Sequence, residues 1–350
     1  MRIKIHEYDL PLKYKFGISR ETRTVQKTLI AELIEDGISG YGEAVANHRY
    51  YAYTFDQMKN ELLALQPILE DHKLYDSSPE LLWQTLKPRL SHNPFALCAL
   101  DMAAYDLWGK LHKKASYKLL GLNTSQNPVT DYTIGIDEIP IMLKKMKEFA
   151  DWPVFKIKVG TNNDIEIMRA LRSATDAVLR VDANCGWTAA QTIEYSFILR
   201  ELGVEFIEQP LPAEDWEAMK SVFEQSALPI VADESVVGPG DVERCYGFFH
   251  GVNIKVVKCG GITPALMMIK KARQLNMQVM AGCMTESTVG ISGISQLLPL
   301  LDSADLDGPL LLASDIAEGV TIDKGVIKYS EKFGNGVTLT AKPLNTYQAD

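Results

Sequence analysis

The sequence predicts an α/β protein built on a modified TIM barrel of the (β/α)7β type, with an N-terminal α+β capping domain that the C-terminal tail completes. Three observations predict this fold. Residues 1–53 alternate apolar and polar side chains as antiparallel strands do, residues 54–121 carry helical spacing, and from residue 129 short strands alternate with helical segments. A chain of 350 residues accommodates a barrel of roughly 250 residues and a smaller second domain.

The capping domain is predicted for residues 1–124. Segments 2–10 and 27–44 alternate apolar and polar residues, and Asp36-Gly37 inside the second segment is typical of a hairpin turn. The longest helix is predicted from Asn93 to Lys113, because Asn93-Pro94 is a helix-start signal and a broad apolar stripe follows it. A stripe of that width indicates a large packing partner.

The barrel is predicted for residues 125–316, and residues 317–350 are expected to return to the capping domain. Strand segments separated by helical stretches require parallel pairing with covering helices, and a closed barrel satisfies this most simply. The segment LLLASDI, residues 310–316, is the candidate for the last strand. The other strand segments are 129–136, 154–160, 178–184, 204–211, 228–235, 251–258 and 277–284.

A doubly wound open sheet is the alternative architecture, and it commonly carries a glycine-rich phosphate loop after its first strand. Here Gly42, Gly160 and Gly186 stand singly, and Gly260-Gly261 is only a pair. The sequence therefore gives no support for nucleotide binding.

Composition favours small-molecule chemistry. The net charge of −9 argues against binding to nucleic acid or to an anionic membrane, and no apolar run reaches the length of a membrane span or a signal peptide. The five cysteines form no CxxC pair and show no metal-ligand spacing, so they are expected to be reduced, packed thiols. We expect a cytoplasmic homo-oligomer acting on a small substrate.

Acidic residues recur at the ends of successive barrel strands. Asp182, Glu208 and Asp233 follow one another at intervals of 26 and 25 residues (182 to 208, 208 to 233), which is about one strand-helix repeat. A single acid at a strand end is usually a helix cap or a surface group, but three at this spacing converge at the C-terminal mouth of a barrel. Oxygen-only ligands favour Mg²⁺, which would offset their mutual repulsion.

Lysines are predicted at the same mouth. In the segment VFKIKVG, Lys156 and Lys158 share one strand face, an arrangement that is also typical of an edge strand with a solvated face. Lys258, in the sixth strand segment, would face Lys158 across the mouth. Two lysines on opposite sides of a bound substrate suit proton abstraction next to a carboxylate, while the metal and Lys156 stabilise the enediolate that forms.

The segments KIKVG, VDAN, IEQP, ADES and IKVVKCGG, in this order and spacing, resemble the enolase superfamily and its muconate-lactonizing-enzyme subgroup. The resemblance covers nearly the whole chain, including the helix NPFALCALDMAAYDLWGK. It implies that the three acids bind one Mg²⁺ and that Asn184 contacts these ligands rather than the ion. It also implies that Lys158 and Lys258 are the two acid/base catalysts and that Lys156 is an electrostatic partner.

Within that subgroup the segment DLDGP resembles the dipeptide epimerases. There the motif binds the free α-amino group of a dipeptide, which implies that role for Asp305 and Asp307; outside this context DLDG would be an ordinary surface turn. Glu286 resembles the subgroup's acidic residue after the seventh strand, and Cys283 and Met284 beside it are expected to line the substrate cavity. The leading hypothesis is an isomerase that epimerises L-Ala-D/L-Glu from peptidoglycan.

Substrate specificity is expected to come from the capping domain. Arg20 and Arg23 are candidates for holding an anionic side chain, although GISRETRTV also fits a solvated loop. An aromatic segment with His48, Tyr50, Tyr51 and Tyr53 is a candidate for closing over the substrate.

Two groups of alternatives stay open. The first is another enzyme of the subgroup: o-succinylbenzoate synthase, with or without N-acylamino acid racemase activity, or a cycloisomerase. The second is a non-catalytic, metal-stabilised binding protein.

Overall fold

The computed structural model describes residues 1–18, 21–45 and 53–349, with the side chains of residues 15–18 and 21–23 outside that description. The N-terminal part forms a four-stranded antiparallel sheet in which a strand from the C-terminal tail pairs with the first strand of the chain. The sheet strands are β1 (Arg2–Ile18), β2 (Glu21–Glu35), β3 (Ile38–Val45) and β16 (Asn345–Gln348).

Helices cover one face of this sheet. The bounds are α1 (Phe55–Leu63), α2 (Gln66–Glu70), α3 (Pro79–Leu90), α4 (Pro94–Leu111) and α5 (Ser116–Leu119). Helix α4 begins after Asn93, whose side chain caps it, as the sequence predicts. It packs so closely on β3 that a Cβ atom on Gly42 would lie 2.1 Å from the Ala99 carbonyl oxygen. Glycine is therefore required at that crossing, because no side chain fits there.

Eight parallel strands form the barrel sheet, and they follow one another around it in chain order. A parallel bridge between Thr130 and Ala304 joins the two ends of this order and brings the barrel close to full closure. The fold class predicted from the sequence is therefore confirmed. The strands are β4 (Tyr132–Ile134), β5 (Val154–Lys158), β6 (Val178–Asp182), β7 (Val204–Glu208), β8 (Ile230–Ala232), β9 (Gly251–Lys255), β10 (Gln278–Gly282) and β11 (Ser303–Asp305).

The barrel helices lie between these strands. They are α6 (Ile139–Glu148), α7 (Asp164–Arg172), α8 (Ala189–Glu201), α9 (Trp216–Gln225), α10 (Asp241–Cys245), α11 (Val256–Cys259), α12 (Ile262–Gln274) and α13 (Thr288–Ser295). The eighth strand is followed by a 3₁₀ turn, Gly308–Leu311, in place of a helix. The tail then forms two small antiparallel pairs, β12 (Ala317–Glu318) with β15 (Thr338–Leu339) and β13 (Thr321–Asp323) with β14 (Val326–Lys328).

The last barrel strand is not where the sequence placed it. The prediction of residues 310–316 is wrong, because the strand that pairs with β10 is Ser303–Asp305, while Leu310 and Leu311 belong to the 3₁₀ turn. The strand is only three residues long and polar at both ends, so it lacks the apolar run that marks a buried strand in sequence.

The cysteines are buried and free, as expected, and all five lie in the described part of the chain. Within the described ranges no helix is long and apolar enough to cross a bilayer. The domain boundaries at residues 124 and 316 stay predictions.

Candidate active site

The C-terminal ends of the barrel strands place a level ring of polar positions at the mouth. Parallel register pairs Lys158 with Asp182 and Asp182 with Glu208, and on the other side pairs Lys255 and Asp305 with Gly282. Lys156 lies two residues before Lys158 on the same strand, and side chains two residues apart share a strand face. Lys156 therefore lies one layer of side chains below the ring, farther from the mouth. A Cβ atom on Gly282 would lie 2.7 Å from the Asn253 side chain, so glycine leaves room for the polar groups around it.

Three carboxylates of this ring converge. One oxygen from each of Asp182, Glu208 and Asp233 lies within 4.8 Å of the other two, and all three residues are buried. Glu208 also accepts a hydrogen bond from Asn253 Nδ2 at 2.8 Å, and Asp182 accepts one from the main-chain N–H of Asn184 at 2.9 Å. The predicted convergence of the acids is present in the structure.

Ammonium groups compensate the charge of these acids. Lys156 Nζ lies 3.1 Å from Asp182 Oδ2 and 2.8 Å from Glu208 Oε2. Lys158 Nζ lies 2.6 Å from Asp182 Oδ2, and a further lysine, Lys255, lies 2.9 Å from Asp233 Oδ2. Opposite charges at these distances offset the cost of burying the carboxylates.

The pKa values follow from this balance. Burial raises the pKa of Asp182, but Lys158 and Lys156 outweigh it and hold the value below the usual range. Glu208 has less compensation, so burial together with the Asp182 charge raises its pKa to about 7. Burial lowers the pKa of Lys156, but Asp305, Glu208 and Asp182 raise it well above its usual range. Lys156 therefore stays protonated as a fixed positive charge.

The lysine that faces Lys158 is Lys255. Strand β9 ends at Lys255, which shares the inward face with Asn253, whereas Lys258 lies on the helical turn α11. Lys258 is 1 % exposed, and its Nζ donates to the main-chain oxygen of Asp233 at 2.6 Å as well as to its carboxylate. The side chains of Lys158 and Lys255 are 9 % and 7 % exposed at the mouth.

The placement of Lys258 on the sixth strand is therefore wrong. Sequence reasoning passed over Lys255 because it assigned the strand end three residues too late. The available signal was the alternation of the segment GVNIK, which puts Asn253 and Lys255 on one face and makes Lys255 the terminal position.

Gln209 is a second residue that sequence reasoning missed. Its Oε1 accepts from the main-chain N–H groups of Asp233 and Ser235, at 3.0 and 3.1 Å, so it holds the loop that carries Asp233. The backbone is left-handed at Gln209 (φ 33°) and, after Asp182, at Asn184 (φ 44°) and Cys185 (φ 65°). Such conformations cost energy for residues other than glycine and cluster at functional sites. Asn184 itself directs its amide toward Glu234, at 3.4 Å.

The two aspartates of the DLDGP segment both contact the first barrel strand. Asp305 accepts from Lys156 Nζ at 2.7 Å and from Thr133 Oγ1 at 3.4 Å, and Asp307 accepts from the Thr133 N–H at 2.6 Å. Burial and the Asp305 charge raise the pKa of Asp307 to about 7. These acids are thus buried beside the strand-end lysines, which excludes an ordinary surface turn.

The residues after the seventh strand lie on the same side of the mouth. Buried Cys283 lies near Asp305 and Asp307, which add to the effect of burial and raise the pKa of its thiol. Met284 is half-buried, and its N–H donates to Glu286 at 2.8 Å. Burial and the charge of Glu43, a residue of β3, raise the pKa of Glu286 to about 8.

Two predicted specificity residues fall outside the description. Arg20 and the side chain of Arg23 lie in segments that the structure does not describe, as do His48, Tyr50 and Tyr51 of the aromatic segment. Tyr53 is described, and its ring packs edge-on against His92 at 5.9 Å.

The donor set fits magnesium. The converging ligand atoms are carboxylate oxygens, and a hard divalent ion prefers such ligands to nitrogen or sulfur. Asp182, Glu208 and Asp233 would hold the ion, and Lys156 also has the Asp305 carboxylate at 2.7 Å.

Comparison with known proteins agrees with this geometry. Residues 2–121 match the family model of the mandelate racemase / muconate lactonizing enzyme N-terminal domain, and residues 142–342 match that of the enolase C-terminal domain-like family. The chain is 51% identical to the L-Ala-D/L-amino acid epimerase of Flavobacterium johnsoniae, over 97% of this chain and 100% of that protein. It is 38% identical to the L-Ala-D/L-Glu epimerase of Bacteroides thetaiotaomicron, over 96% of this chain and 88% of that protein. These relatives are isomerases, as expected of this chain.

A solved structure with the same architecture is the dipeptide epimerase of Cytophaga hutchinsonii complexed with Mg and the dipeptide D-Ala-L-Val. It has a TM-score of 0.93 and 26% identity, and the match covers 100% of this chain and 99% of that one. On its site geometry, its family-model matches and these relatives, the chain belongs to the mandelate racemase / muconate lactonizing enzyme family of the enolase superfamily, where it is similar to the dipeptide epimerases.

Proposed function

We propose that the protein is a Mg²⁺-dependent dipeptide epimerase that inverts the α-carbon of the C-terminal residue of a dipeptide. The observation that carries the proposal is the pair Lys158 and Lys255 on either side of three convergent acids. Their strands are the second and the sixth of eight in the barrel order, half a turn apart. The ammonium groups therefore approach a bound substrate from opposite sides.

The lysine pair moves the protons. One lysine, as the neutral amine, takes the α-proton next to the substrate carboxylate and becomes an ammonium group. The other, as the ammonium group, delivers a proton to the opposite face of the planar enediolate and becomes the amine. Mg²⁺, when bound, supplies positive charge that stabilises the negative charge developing on that carboxylate. Lys156, fixed and positively charged, adds to this stabilisation from below. Either lysine can begin the reaction, so both epimers are substrates.

The DLDGP segment selects a dipeptide over an acylated amino acid. Asp305 and Asp307 present two carboxyl groups beside Lys156, at the place where a free α-ammonium group would complete the charge balance. The relatives named as L-Ala-D/L-amino acid and L-Ala-D/L-Glu epimerases support an N-terminal alanine. L-Ala-D/L-Glu, as released from peptidoglycan, is the first substrate to test.

The test is hydrogen exchange. The protein with Mg²⁺ is incubated in D₂O with a library of L-Ala dipeptides, and mass spectrometry with NMR locates incorporated deuterium. We expect one deuterium at the α-carbon of the C-terminal residue, with both epimers present at equilibrium. Absence of deuterium from every dipeptide would overturn the proposal and favour a metal-stabilised binding protein.

The competing reaction of o-succinylbenzoate synthase or an N-acylamino acid racemase uses substrates without a free ammonium group. Asp307→Asn removes a negative charge without changing the size of the side chain. We expect it to raise KM for dipeptides about tenfold or more, as loss of a charge-assisted hydrogen bond would. Unchanged dipeptide kinetics, together with turnover of an N-acyl amino acid, would favour the competing reaction.

A further inference from the structure

Below the acids of the mouth, a chain of charged side chains runs down the barrel, and its lower members, Asp131, Arg180 and Glu205, have no part in the reaction just described. Glu205 Oε2 accepts from Arg180 Nε at 2.7 Å, and Arg180 Nη1 donates to Asp131 Oδ2 at 2.9 Å. The parallel bridge between Thr130 and Ala304 sets Asp131 beside Asp305 on neighbouring strands, and Asp305 accepts from Lys156 Nζ. Apart from Glu205, every member of this chain is buried.

The carboxyl groups of Asp131 and Asp305 meet where the barrel closes. Asp131 precedes the first strand and donates its N–H to the Ala304 oxygen of the last strand at 3.1 Å, while Arg180 Nη1 donates to the same oxygen at 3.1 Å. Directly after the last strand, the Leu306 N–H donates to Thr130 Oγ1 at 2.7 Å. The backbone on both sides of the pair is thus fixed.

A hydrogen bond between two carboxyl groups requires one proton between them. Asp131 Oδ1 is buried and has no N–H or hydroxyl partner among the described residues, so its neighbour Asp305 is the group left to share that proton. Burial and the Asp305 charge raise the pKa of Asp131 well above the usual range, against the effect of Arg180. Burial also raises the pKa of Asp305, but Lys156 and Lys158 outweigh it and lower the value. The proton therefore resides on Asp131.

We propose that Asp131 is a positioning residue for Asp305: its protonated carboxyl group donates to Asp305 and aims the Asp305 carboxylate at Lys156 and at the substrate ammonium group. Arg180 Nη1 donates to the other carboxyl oxygen of Asp131, Oδ2, and holds that side chain in place. The part of this inference that concerns the ammonium group rests on the proposed function. The orientation of Asp305 toward Lys156 does not.

The test compares Asp131→Asn with Asp131→Ala in the full-length, Mg²⁺-loaded protein. The asparagine amide can donate to Asp305 through Nδ2 and accept from Arg180 through Oδ1, so it replaces the protonated acid, whereas alanine cannot. For Asp131→Ala we expect KM for the dipeptide to rise about tenfold while kcat changes less than about threefold. Asp131→Asn should bring KM back to within about threefold of the wild-type value.

Crystal structures of both variants provide a readout that does not depend on activity. Lys156 Nζ and Asp305 Oδ2, 2.7 Å apart in the wild type, should stay at hydrogen-bond distance with asparagine and separate with alanine. If the contact and KM are both unchanged in Asp131→Ala, the positioning role is overturned. If asparagine behaves as alanine does, donation by Asp131 is overturned.

Removal of the Asp131 side chain takes one acceptor from the buried Arg180, which keeps only Glu205 and the Ala304 oxygen as the acceptors named above, and the alanine variant can fail to fold for that reason. The double variant Asp131→Ala/Arg180→Met also removes the buried guanidinium group and keeps the measurement possible, with the same expected rise in KM and the same separation of Asp305 from Lys156. Wild-type protein that exchanges no dipeptide proton would count against the proposed function alone, since the crystallographic comparison still decides the role of Asp131.

Discussion

Two lysines near the end of the sixth strand lie close together in sequence but differ in their position relative to the barrel interior. Lys255 and Lys258 both contact the Asp233 carboxylate, but Lys255 reaches it from the inward face of the barrel and Lys258 from the helical turn behind. Lys258 also donates to the Asp233 main-chain oxygen, so it fixes both the backbone and the side chain of that acid. Under the proposed function, we therefore expect Lys158 and Lys255 to transfer the protons and Lys258 to support Asp233.

Alanine substitution separates these roles. We expect Lys158→Ala and Lys255→Ala each to lower epimerisation by at least about 10²–10⁴-fold, the usual contribution of a general base. Each variant should still exchange the α-proton of one epimer with D₂O, and the two variants should act on opposite epimers, because each variant keeps a base on one side of the substrate only. Chiral NMR analysis of single-epimer substrates in D₂O measures this.

Lys258→Ala is the matched control. Its turnover at saturating Mg²⁺ should fall much less, and the concentration of Mg²⁺ needed for half-maximal activity should rise, because Asp233 loses a donor that fixes it. Loss of turnover at saturating Mg²⁺ as complete as in Lys158→Ala, with exchange limited to one epimer, would instead make Lys258 the second base.

At the scale of elements, the capping domain is anchored to the barrel through the long helix α4. Asp101 on α4 accepts from the N–H of Thr263 at 2.8 Å and from its hydroxyl at 2.8 Å, at the first turn of α12. A carboxylate is stabilised near a helix N-terminus, but the Asp101 side chain is also buried, which disfavours its charged form. Burial raises the pKa of Asp101 to about 7, against the opposing effect of the Thr263 hydrogen bonds. The Asp101 carboxyl group at this contact is therefore protonated at mildly acidic pH.

This raised pKa predicts a pH dependence of stability. The folded state keeps the Asp101 proton up to about pH 7, whereas the unfolded state loses it near about pH 4. Between these values unfolding releases a proton, so the free energy of unfolding falls as pH rises. Asp101→Asn cannot titrate, and its free energy of unfolding should vary less between pH 4 and pH 7. Denaturant unfolding at several pH values measures the difference.

Asp76→Asn is the control for that measurement, because Asp76 is an exposed acid of the same domain. It should leave the pH dependence as in the wild type. Equal pH dependence in Asp101→Asn and the wild type would show that the Asp101 proton does not contribute.

At the scale of the whole molecule, the site joins strands from around the entire barrel. The acids come from the third to the fifth strand, the facing lysines from the second and the sixth, and Asp305 from the eighth. An ion held by Asp182, Glu208 and Asp233 would bind the closed barrel but not the unfolded chain. Ion binding is therefore coupled to the stability of the complete fold.

Thermal unfolding measures this coupling. Mg²⁺ should raise Tm in a saturable way, with a stabilisation of about 2.7 kcal/mol when its concentration is a hundredfold above Kd, and EDTA should reverse the shift. Asp182→Asn, which keeps the size of the side chain, should remove most of the shift. A Tm that does not respond to Mg²⁺ in the wild type would mean that the convergent acids are held by lysines alone.

The sequence by itself determined the features that depend on local spacing. The alternation of strands and helices follows from hydrophobic periodicity, so the barrel and the capping domain were predictable. The regular interval between Asp182, Glu208 and Asp233 matches one strand-helix repeat, so their convergence was predictable too. The DLDGP segment was recognisable by resemblance, although the strand that ends in it was not.

Only the tertiary structure decided which groups meet. The choice between Lys255 and Lys258 depends on the residue at which the strand ends, and a three-residue error moves a side chain from the barrel interior to a helical turn. Asp131 and Asp305 are 174 residues apart (131 to 305) and become neighbours only because the first and last strands close the barrel. Local periodicity encodes which face of a strand is buried. Which residues of the first and last strands become neighbours depends on closure of the whole barrel, and no short segment of the sequence encodes that closure.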